Sequence, residues 1–185
     1  MTELLRHPTN PPAASAIAGV EVDCSRTDDG NLSVVFHTTG ATNEILVPSP
    51  RISEFVEGLW QHSCFEVFIS AEEDPGYYEY NLSPSGQWAL FEFRDYRDGE
   101  PRADPNFKPV IQFEMSPRTF SLEALLPLAR IDPGSKTSRL RIGLSAVIEH
   151  CDGTLGYWAL RHPAETPDFH DANSFALTLE ARGEA

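Results

Sequence analysis

The fold is decided by the stretch from Trp60 to Arg97, which reads WQHSCFEVFISAEEDPGYYEYNLSPSGQWALFEFRDYR. Its first segment places Phe65, Val67 and Ile69 at every second position and Glu66 between them. A period of two residues puts successive side chains on opposite faces of a β-strand. The pattern therefore predicts that the apolar set fills a core and that Glu66 points away from it.

The next segment, Tyr77 to Ser83, continues the same alternation and carries two more polar side chains. Glu79 and Asn81 fall on the parity opposite to its apolar residues, as Glu66 does on the preceding strand. The turn formers Ser83-Pro84-Ser85-Gly86 end this strand before another begins at Gln87. We expect a carboxylate, an amide and aromatic rings to converge on one sheet face.

Short, turn-bounded segments rich in Val, Ile, Phe, Tyr and Thr run through the rest of the chain. The predicted strands are Gly19–Ser25, Leu32–Thr38, Glu44–Val47, Cys64–Ser70, Tyr77–Ser83, Gln87–Phe93, Val110–Met115, Thr119–Pro127, Arg139–Glu149, Leu155–Leu160 and Ser174–Glu180. Only Ile52–Trp60 and Leu126–Ile131 are compatible with a short helical turn. About ten strands in one domain predict an all-β fold, an antiparallel sandwich of two sheets.

The chain length of 185 residues suits a single domain. We expect residues 1–185 to form one β-sandwich, with 1–15 as an irregular N-terminal segment. The 28 acidic side chains exceed the 14 basic ones, for a formal charge of −14, and no run of Lys or Arg interrupts this excess. Nucleic acid and anionic membrane surfaces are therefore not expected as partners.

Cysteine usage indicates a reducing compartment. Cys24, Cys64 and Cys151 are odd in number and lack a CxxC spacing, which disfavours a disulfide framework or a structural zinc site. No apolar run has the length of a signal peptide or a membrane span. A cytoplasmic location is the expectation.

The predicted strand Arg139–Glu149 alternates apolar residues with an outward set that includes Gly143 and Ser145. Such small side chains leave room above a sheet, and they also occur in crowded sandwich cores. This strand therefore gives weak support to a binding surface on the outward face.

The sequence contains residues of types that serve in nucleophilic catalysis, haem ligation and metal binding. His62 lies two residues before Cys64, but no third group beside them orients a base, which disfavours a nucleophilic thiol. Haem ligation by a histidine and Met115 is compatible with the residue types, although no CxxCH attachment site occurs. A metal hypothesis rests on four side chains of one loop that suit zinc or a harder cation: His162, Asp168, His170 and Asp171. A proline-rich surface turn explains that loop equally well.

Two further hypotheses concern sugars. Glu66 and Glu79 on neighbouring strands suggest the carboxylate pair of a glycosidase, although surface glutamates on adjacent strands are common. A binding site fits the composition better, since a sugar lays its C–H face on an aromatic ring and its hydroxyls on polar groups at the ring's edge. The residues of these types are Trp60, Trp88, Trp158, Glu66, Glu79, Asn81, Arg94, Arg97 and Arg161.

Three blocks of the sequence resemble a known group of proteins. They are LWQHSCFEVFIS (Leu59–Ser70), YYEYNLSPSGQWALFEFRDYR (Tyr77–Arg97) and GYWALRHPAETPDFHDANSFAL (Gly156–Leu177). Together they are similar to the bacterial DOMON-like proteins related to the family 9 carbohydrate-binding modules. The resemblance covers about Trp60 to Leu179, whereas the first fifty residues match only as generic strands.

The resemblance implies a β-sandwich without catalytic residues, metal or cofactor that binds a small saccharide. Members of family 9 hold a terminal sugar between two tryptophans, and the pattern assigns these platforms to Trp60 and Trp158. It assigns the acidic partner to Glu66, with Asn81 and Arg94 as looser matches. Family members usually accompany a secreted glycanase, whereas we expect this chain to act alone. DOMON relatives that bind haem through histidine and methionine keep that ligand open.

Overall fold

The computed structural model describes residues 1–72, 74–131 and 139–181. Within these ranges the chain forms twelve β-strands, several 3-10 turns and one short α-helix, α1 (Leu128–Ile131). The strands are β1 (Thr2–Arg6), β2 (Ile17–Arg26), β3 (Leu32–Gly40), β4 (Cys64–Ala71), β5 (Tyr77–Leu82), β6 (Trp88–Asp95), β7 (Asp98–Pro101), β8 (Val110–Met115), β9 (Thr119–Leu126), β10 (Leu140–Glu149), β11 (Leu155–Ala159) and β12 (Leu177–Leu179).

The strands pair antiparallel in the order β7-β6-β5-β4-β10-β11-β1-β2-β3-β9-β8, with β12 beside one end of β10. We call β4–β7 with β10–β12 the front sheet, and β2, β3, β8 and β9 the back sheet. β1 belongs to both, because Thr2–Leu4 pair with β2 whereas Leu5 and Arg6 pair with β11.

The two sheets pack face to face around the main core. Phe65 of β4 contacts Phe36 of β3, with 4.8 Å between ring centroids, and Phe120 of β9 at 6.0 Å. These strands are distant in the pairing order, so the contacts are between layers rather than within a sheet. Val67 and Ile69 are buried in the same cluster, as the alternation predicted. The predicted antiparallel β-sandwich is confirmed.

A smaller apolar cluster lies on the outer face of the front sheet. Its buried members from the sheet are Phe68, Tyr77, Val147 and Ala159. The segment 161–176, which we call the covering loop, crosses this face and adds Phe169 and Phe175. Water is therefore excluded from part of the outer face, and polar side chains placed there are shielded from solvent.

The structure corrects three expectations about elements. Residues 1–15, expected to be irregular, contain β1 as an internal strand. The predicted strand Glu44–Val47 is reduced to a single bridge between Ile45 and His150. The short strand β7, which follows the turn after β6, was not predicted.

The two helical expectations have different outcomes. The segment Leu126–Ile131 does contain α1, whereas Ile52–Trp60 overlaps only a 3-10 turn at Leu59–Gln61. Across the described ranges, no helix has the length and apolarity to span a bilayer.

Candidate functional site

A cavity of about 470 Å³ lies between the outer face of the front sheet and the covering loop. β4, β5, β6, β7, β10 and β11 all contribute to it. Its lining residues are Trp60, Glu66, Glu79, Phe91, Phe93, Arg97, Gly99, Val147, Leu155, Tyr157, Pro167, Phe169 and His170.

Glu66 forms part of the floor of this cavity. Its side chain projects from β4 on the face opposite the main core and is 4% exposed. Ser145, its neighbour on β10, donates a hydrogen bond from Oγ to Glu66 Oε2 over 3.0 Å. Burial, and then repulsion from Glu79, raise the pKa of Glu66 well above the usual range, although Ser145 opposes the shift.

Glu79 is the second acid of the floor. It lies on β5 beside Asn81, which pairs with Glu66, so the two carboxylates are diagonal neighbours on one face. Asn81 donates from Nδ2 to Glu79 Oε1 over 2.6 Å. Burial raises the pKa of Glu79, while the hydrogen bond from Asn81 and the charge of Arg97 act against the rise.

A chain of hydrogen bonds fixes the imidazole of His170 beside Glu79. The backbone N–H of Arg97 donates to the Tyr77 hydroxyl over 3.1 Å, which leaves the hydroxyl proton for His170 Nδ1 at 2.8 Å. The His170 Nε2 atom then carries the ring proton and lies 3.7 Å from Glu79 Oε2. Burial lowers the pKa of His170 to about 4, so the ring is neutral near pH 7.

Arg97 is placed at the cavity by an unusual backbone conformation. Its φ of 55° is in the left-handed region that non-glycine residues rarely adopt. The guanidinium donates from one Nη atom to Asp168 Oδ1 over 3.0 Å and from Nε to the Tyr96 hydroxyl over 3.2 Å. Tyr96 in turn donates to Asp168 Oδ2 over 2.6 Å. This triangle ties the turn between β6 and β7 to the covering loop.

Aromatic rings form much of the cavity wall. Phe93 stacks on Tyr77 with ring centroids 4.6 Å apart, and Tyr157 and Phe169 face each other across 6.1 Å. Trp60, in the 3-10 turn before β4, is 51% exposed and lies at the mouth. The cavity thus combines apolar ring surfaces with carboxyl, guanidinium and imidazole groups, a combination that binds small polar ligands with apolar faces.

Three of the five predicted site residues come together at this cavity. Trp60 and Glu66 line it, and Asn81, fully buried, supports Glu79 from beneath. Whether these residues bind a ligand stays a prediction.

The expected placement of Trp158 and Arg94 at this cavity is wrong. Trp158 is 2% exposed and packs in the main core, because it pairs with Ala146 on the inward parity of β10. Its neighbour Tyr157 occupies the outward parity and lines the cavity instead. Arg94 also lies on the other face of β6 from Phe93 and forms ion pairs with Asp98 and Glu100 at the sheet edge.

The residues of the nucleophile hypothesis are not arranged for catalysis. Cys64 donates from Sγ to Asn81 Oδ1 at 3.5 Å, and burial raises the pKa of its thiol well above the usual value. His62 is exposed and pairs with Glu149 at 2.8 Å. The thiol is therefore held in its unreactive form.

The loop residues of the metal hypothesis are dispersed. His162 bonds the Leu5 carbonyl, Asp168 pairs with Arg97, and Asp171 accepts from the backbone N–H of Asn173. Within the described part of the chain, no three His, Cys, Asp or Glu side chains gather as a metal site would require. Met115 lies on the back sheet, where it and His37 line another cavity, and haem ligation there stays a prediction.

Sequence reasoning selected the aromatic platforms by residue type and missed Tyr157, Phe91 and His170 as lining residues. A usable signal was present for Tyr157. The predicted alternation of β10 puts Val147 on the outward side with Gly143 and Ser145, and Tyr157 is the partner of Val147 in the β10–β11 ladder. His170 had no such signal, because its position depends on how the covering loop folds back over the sheet.

No protein-family profile matches the chain, and no curated protein matches it either. Solved structures, in contrast, do match the chain. A Bacteroides uniformis protein, provisionally described as carbohydrate-binding, aligns over 94% of this chain and 82% of its own, with 14% identity and a TM-score of 0.68.

A family 9 carbohydrate-binding module from Caldicellulosiruptor kristjanssonii also aligns, in two complexes. The glucose complex gives 10% identity and a TM-score of 0.54 over 98% of this chain and 86% of that one. The cellotriose complex gives 10% identity and a TM-score of 0.57 over 100% and 83%. The fold is therefore a β-sandwich like that of the family 9 modules.

Proposed function

We propose that this protein is a non-catalytic binding module whose front-sheet cavity takes a small saccharide or the end of a saccharide chain. The observation that carries the proposal is the cavity itself. Five aromatic side chains, Trp60, Phe91, Phe93, Tyr157 and Phe169, line it together with Glu66, Glu79, Arg97 and His170.

The chemistry of a pyranose matches this lining. Its axial C–H bonds form an apolar face that stacks on a flat ring, and the exposed indole of Trp60 offers such a ring at the mouth. Its hydroxyls both donate and accept hydrogen bonds, as do carboxyl and imidazole groups on the floor. The volume of about 470 Å³ suits a ligand of one or two sugar rings.

The solved structures support this proposal at the level of fold. Two of them are complexes of a family 9 module with glucose and cellotriose. Sequence identity of 10% does not carry a ligand from one protein to another, so the saccharide class rests on the residues of this cavity.

Isothermal titration calorimetry against monosaccharides and short oligosaccharides tests the proposal. Trp60→Ala and Tyr157→Ala should each weaken binding of the best ligand by about 1–3 kcal/mol, because each removes a stacking surface. Met115→Ala is the control, since Met115 is 54% exposed on the back sheet, and it should bind normally. Absence of binding to every saccharide, or equal losses in all three variants, would reject the proposal.

The buried carboxyl pair favours a second candidate, a glycoside-acting enzyme. A raised pKa keeps one carboxyl protonated near neutral pH, as a general acid requires. Aryl glycosides provide the test: the enzyme hypothesis requires turnover that Glu66→Gln abolishes. The binding module that we propose predicts no turnover above the uncatalysed rate.

A cytoplasmic location and a relation to DOMON domains are also part of the proposal. The location is supported by Cys24, Cys64 and Cys151, which are all free thiols. Cell fractionation with antibodies against the chain tests this point.

A further inference from the structure

The floor of the front-sheet cavity holds two buried acids, Glu66 and Glu79, that have no cation paired with them in the described part of the chain. Among the described residues, neither Glu66 nor Glu79 forms an ion pair with a lysine or arginine. The nearest basic side chain, Arg97, is engaged with Asp168 and Tyr96. His170, beside Glu79, is a neutral ring whose Nε2–H points toward that carboxylate. The two acids therefore lack a cation of their own.

The described elements packed around the pair supply one cationic side chain, that of Arg97. The titratable or charged groups that face Glu66 and Glu79 are Cys64, Tyr77, Arg97, Tyr157, Asp168 and His170. Arg97 is the one permanently cationic group among them, and Asp168 offsets it. If both glutamates are ionised, the surroundings do not neutralise them.

The side chain of Glu66 faces the cavity. Only 4% of the residue is exposed, and it forms part of the cavity floor. Ser145 supplies one hydrogen bond, whereas a carboxylate offers about four acceptor positions. Acceptor capacity therefore remains for a ligand that donates.

The cavity walls favour a cation for a separate reason. The face of an aromatic ring carries partial negative charge and attracts ammonium groups placed over it. Phe91, Phe93, Tyr157 and Phe169 line the space above the two acids. A ligand cation there would meet carboxylates below and ring surfaces at the sides.

We propose that the cavity is selective for a saccharide that carries a protonated amino group, that is, an amino sugar, over the corresponding neutral sugar. This inference rests on the proposed function, and it deepens that function by naming the substrate class. The ammonium group lies against Glu66 and Glu79, and the sugar ring stacks on the aromatic wall.

Binding of such a ligand has a proton signature. Without ligand, burial of both carboxyls, and for Glu66 also repulsion from Glu79, keep the pair partly protonated. An ammonium beside the pair stabilises the ionised carboxylates, so the pKa of the pair falls on binding and a proton leaves for the buffer. A neutral sugar does not lower the pKa of the pair in this way, so its binding releases no proton.

Calorimetry of the intact protein with glucosamine, glucose and N-acetylglucosamine tests the inference. The pH is held at about 6.5, where an amine of this kind is protonated. Glucosamine should bind about tenfold tighter than both neutral sugars or better, since a hydrogen bond between charged groups is stronger than a neutral one. Its apparent enthalpy should vary with the ionisation enthalpy of the buffer, as proton release requires.

Variants of the two glutamates test whether the charge of the cavity floor, rather than its shape, causes the preference for glucosamine. Glu66→Gln and Glu79→Gln keep the size of each side chain and should remove most of the preference for glucosamine, whereas Glu123→Gln, exposed on β9, should keep it. Glucose binding as tightly as glucosamine, or a preference that survives both glutamine variants, overturns the inference and leaves the proposed function standing. Failure of every saccharide in the calorimetric screen rejects the proposed function and the inference together.

Discussion

The protonation of Glu66 and Glu79 links the cavity to the stability of the fold. Both are buried on the outer face of the front sheet, and the folded pKa of each is raised above the ordinary value of 4.5. Below that ordinary value both carboxyls are protonated in the folded and unfolded chains alike. Above it, the unfolded chain releases protons that the folded chain still holds, so the free energy of unfolding falls as pH rises through the folded pKa.

We predict that Glu66→Gln flattens this pH dependence. The wild-type protein should lose on the order of 1–3 kcal/mol of unfolding free energy between about pH 5 and about pH 9 through this pair, and the variant should lose less. Urea denaturation at the two pH values measures the difference. Glu123→Gln, an exposed change of the same type, should follow the wild type.

Parallel pH profiles for wild type and Glu66→Gln would contradict the prediction.

His170 changes the unfolding free energy in the opposite direction, at acidic pH. Its folded pKa is lowered to about 4, so stability is lost as pH falls from 6.5 through that value. This contribution is present in both proteins and does not affect the comparison.

Tyr157 and Trp158 illustrate what sequence reasoning captures at the residue scale. The alternation in β4 and β10 was sufficient to place Phe65 in the core and Glu66 outside it. In β11 the resemblance favours Trp158, whereas Tyr157 has the parity that faces the cavity. A tryptophan can fill a core as well as a ligand site, so residue type alone does not separate the two roles.

At the scale of elements, β1 joins the two sheets. Leu4 pairs toward β2 and is 2% exposed, whereas its neighbour Leu5 pairs with β11 and is 51% exposed. Pro8, Pro11 and Pro12 follow this segment, and five residues offer too few alternations to indicate a strand. Its order comes from partners distant in the chain, which a local pattern does not reveal.

We predict that Leu4→Ala lowers the unfolding free energy by about 2–5 kcal/mol, because it leaves a cavity in the main core. Leu5→Ala changes the same residue type on the exposed face and should cost less than about 1 kcal/mol. Chemical denaturation of both variants measures the contrast. Equal losses of unfolding free energy in the two variants would show that Leu4 of β1 does not fill the main core.

The covering loop is the element that turns a sheet face into a cavity. The Arg97–Asp168 ion pair and the Tyr77–His170 hydrogen bond hold it, and Phe175 packs over Gly143. A small residue at Gly143 is compatible with room for a ligand or with close packing, and the ring of Phe175 occupies that space. An added Cβ at Gly143 would approach Phe175 Cδ1 to 2.6 Å.

We predict that Gly143→Ala displaces Phe175 and costs about 1–3 kcal/mol of unfolding free energy by overpacking. It should also weaken saccharide binding, because the same loop carries Phe169 and His170. Gly19→Ala is the matched control in β2, where the new Cβ would meet Thr39 Oγ1 at an ordinary 3.7 Å. Thermal melts and calorimetry of both variants measure the effects, and an unchanged Gly143→Ala protein would refute the packing.

At the scale of the whole molecule, the sequence was sufficient for an all-β sandwich but not for the shape of its cavity. Local alternation determines which side of each strand is apolar. The cavity arises from the covering loop and from the turn at Arg97, whose contacts join residues about seventy positions apart. Function therefore depends on the part of the fold that short-range patterns describe least well.

The three tryptophans report on the central claim, that ligand binds on the outer face of the front sheet. Trp60 is half-exposed at the cavity mouth, whereas Trp88 and Trp158 are each 2% exposed. Titration of nitrogen-15-labelled protein with glucose and glucosamine, followed by the three indole N–H signals in NMR spectra, tests the claim most directly. We predict that the Trp60 signal shifts saturably with at least one of these sugars while the other two signals stay in place. Movement of Trp88 or Trp158 with a stationary Trp60, or no movement with either sugar, would contradict the account.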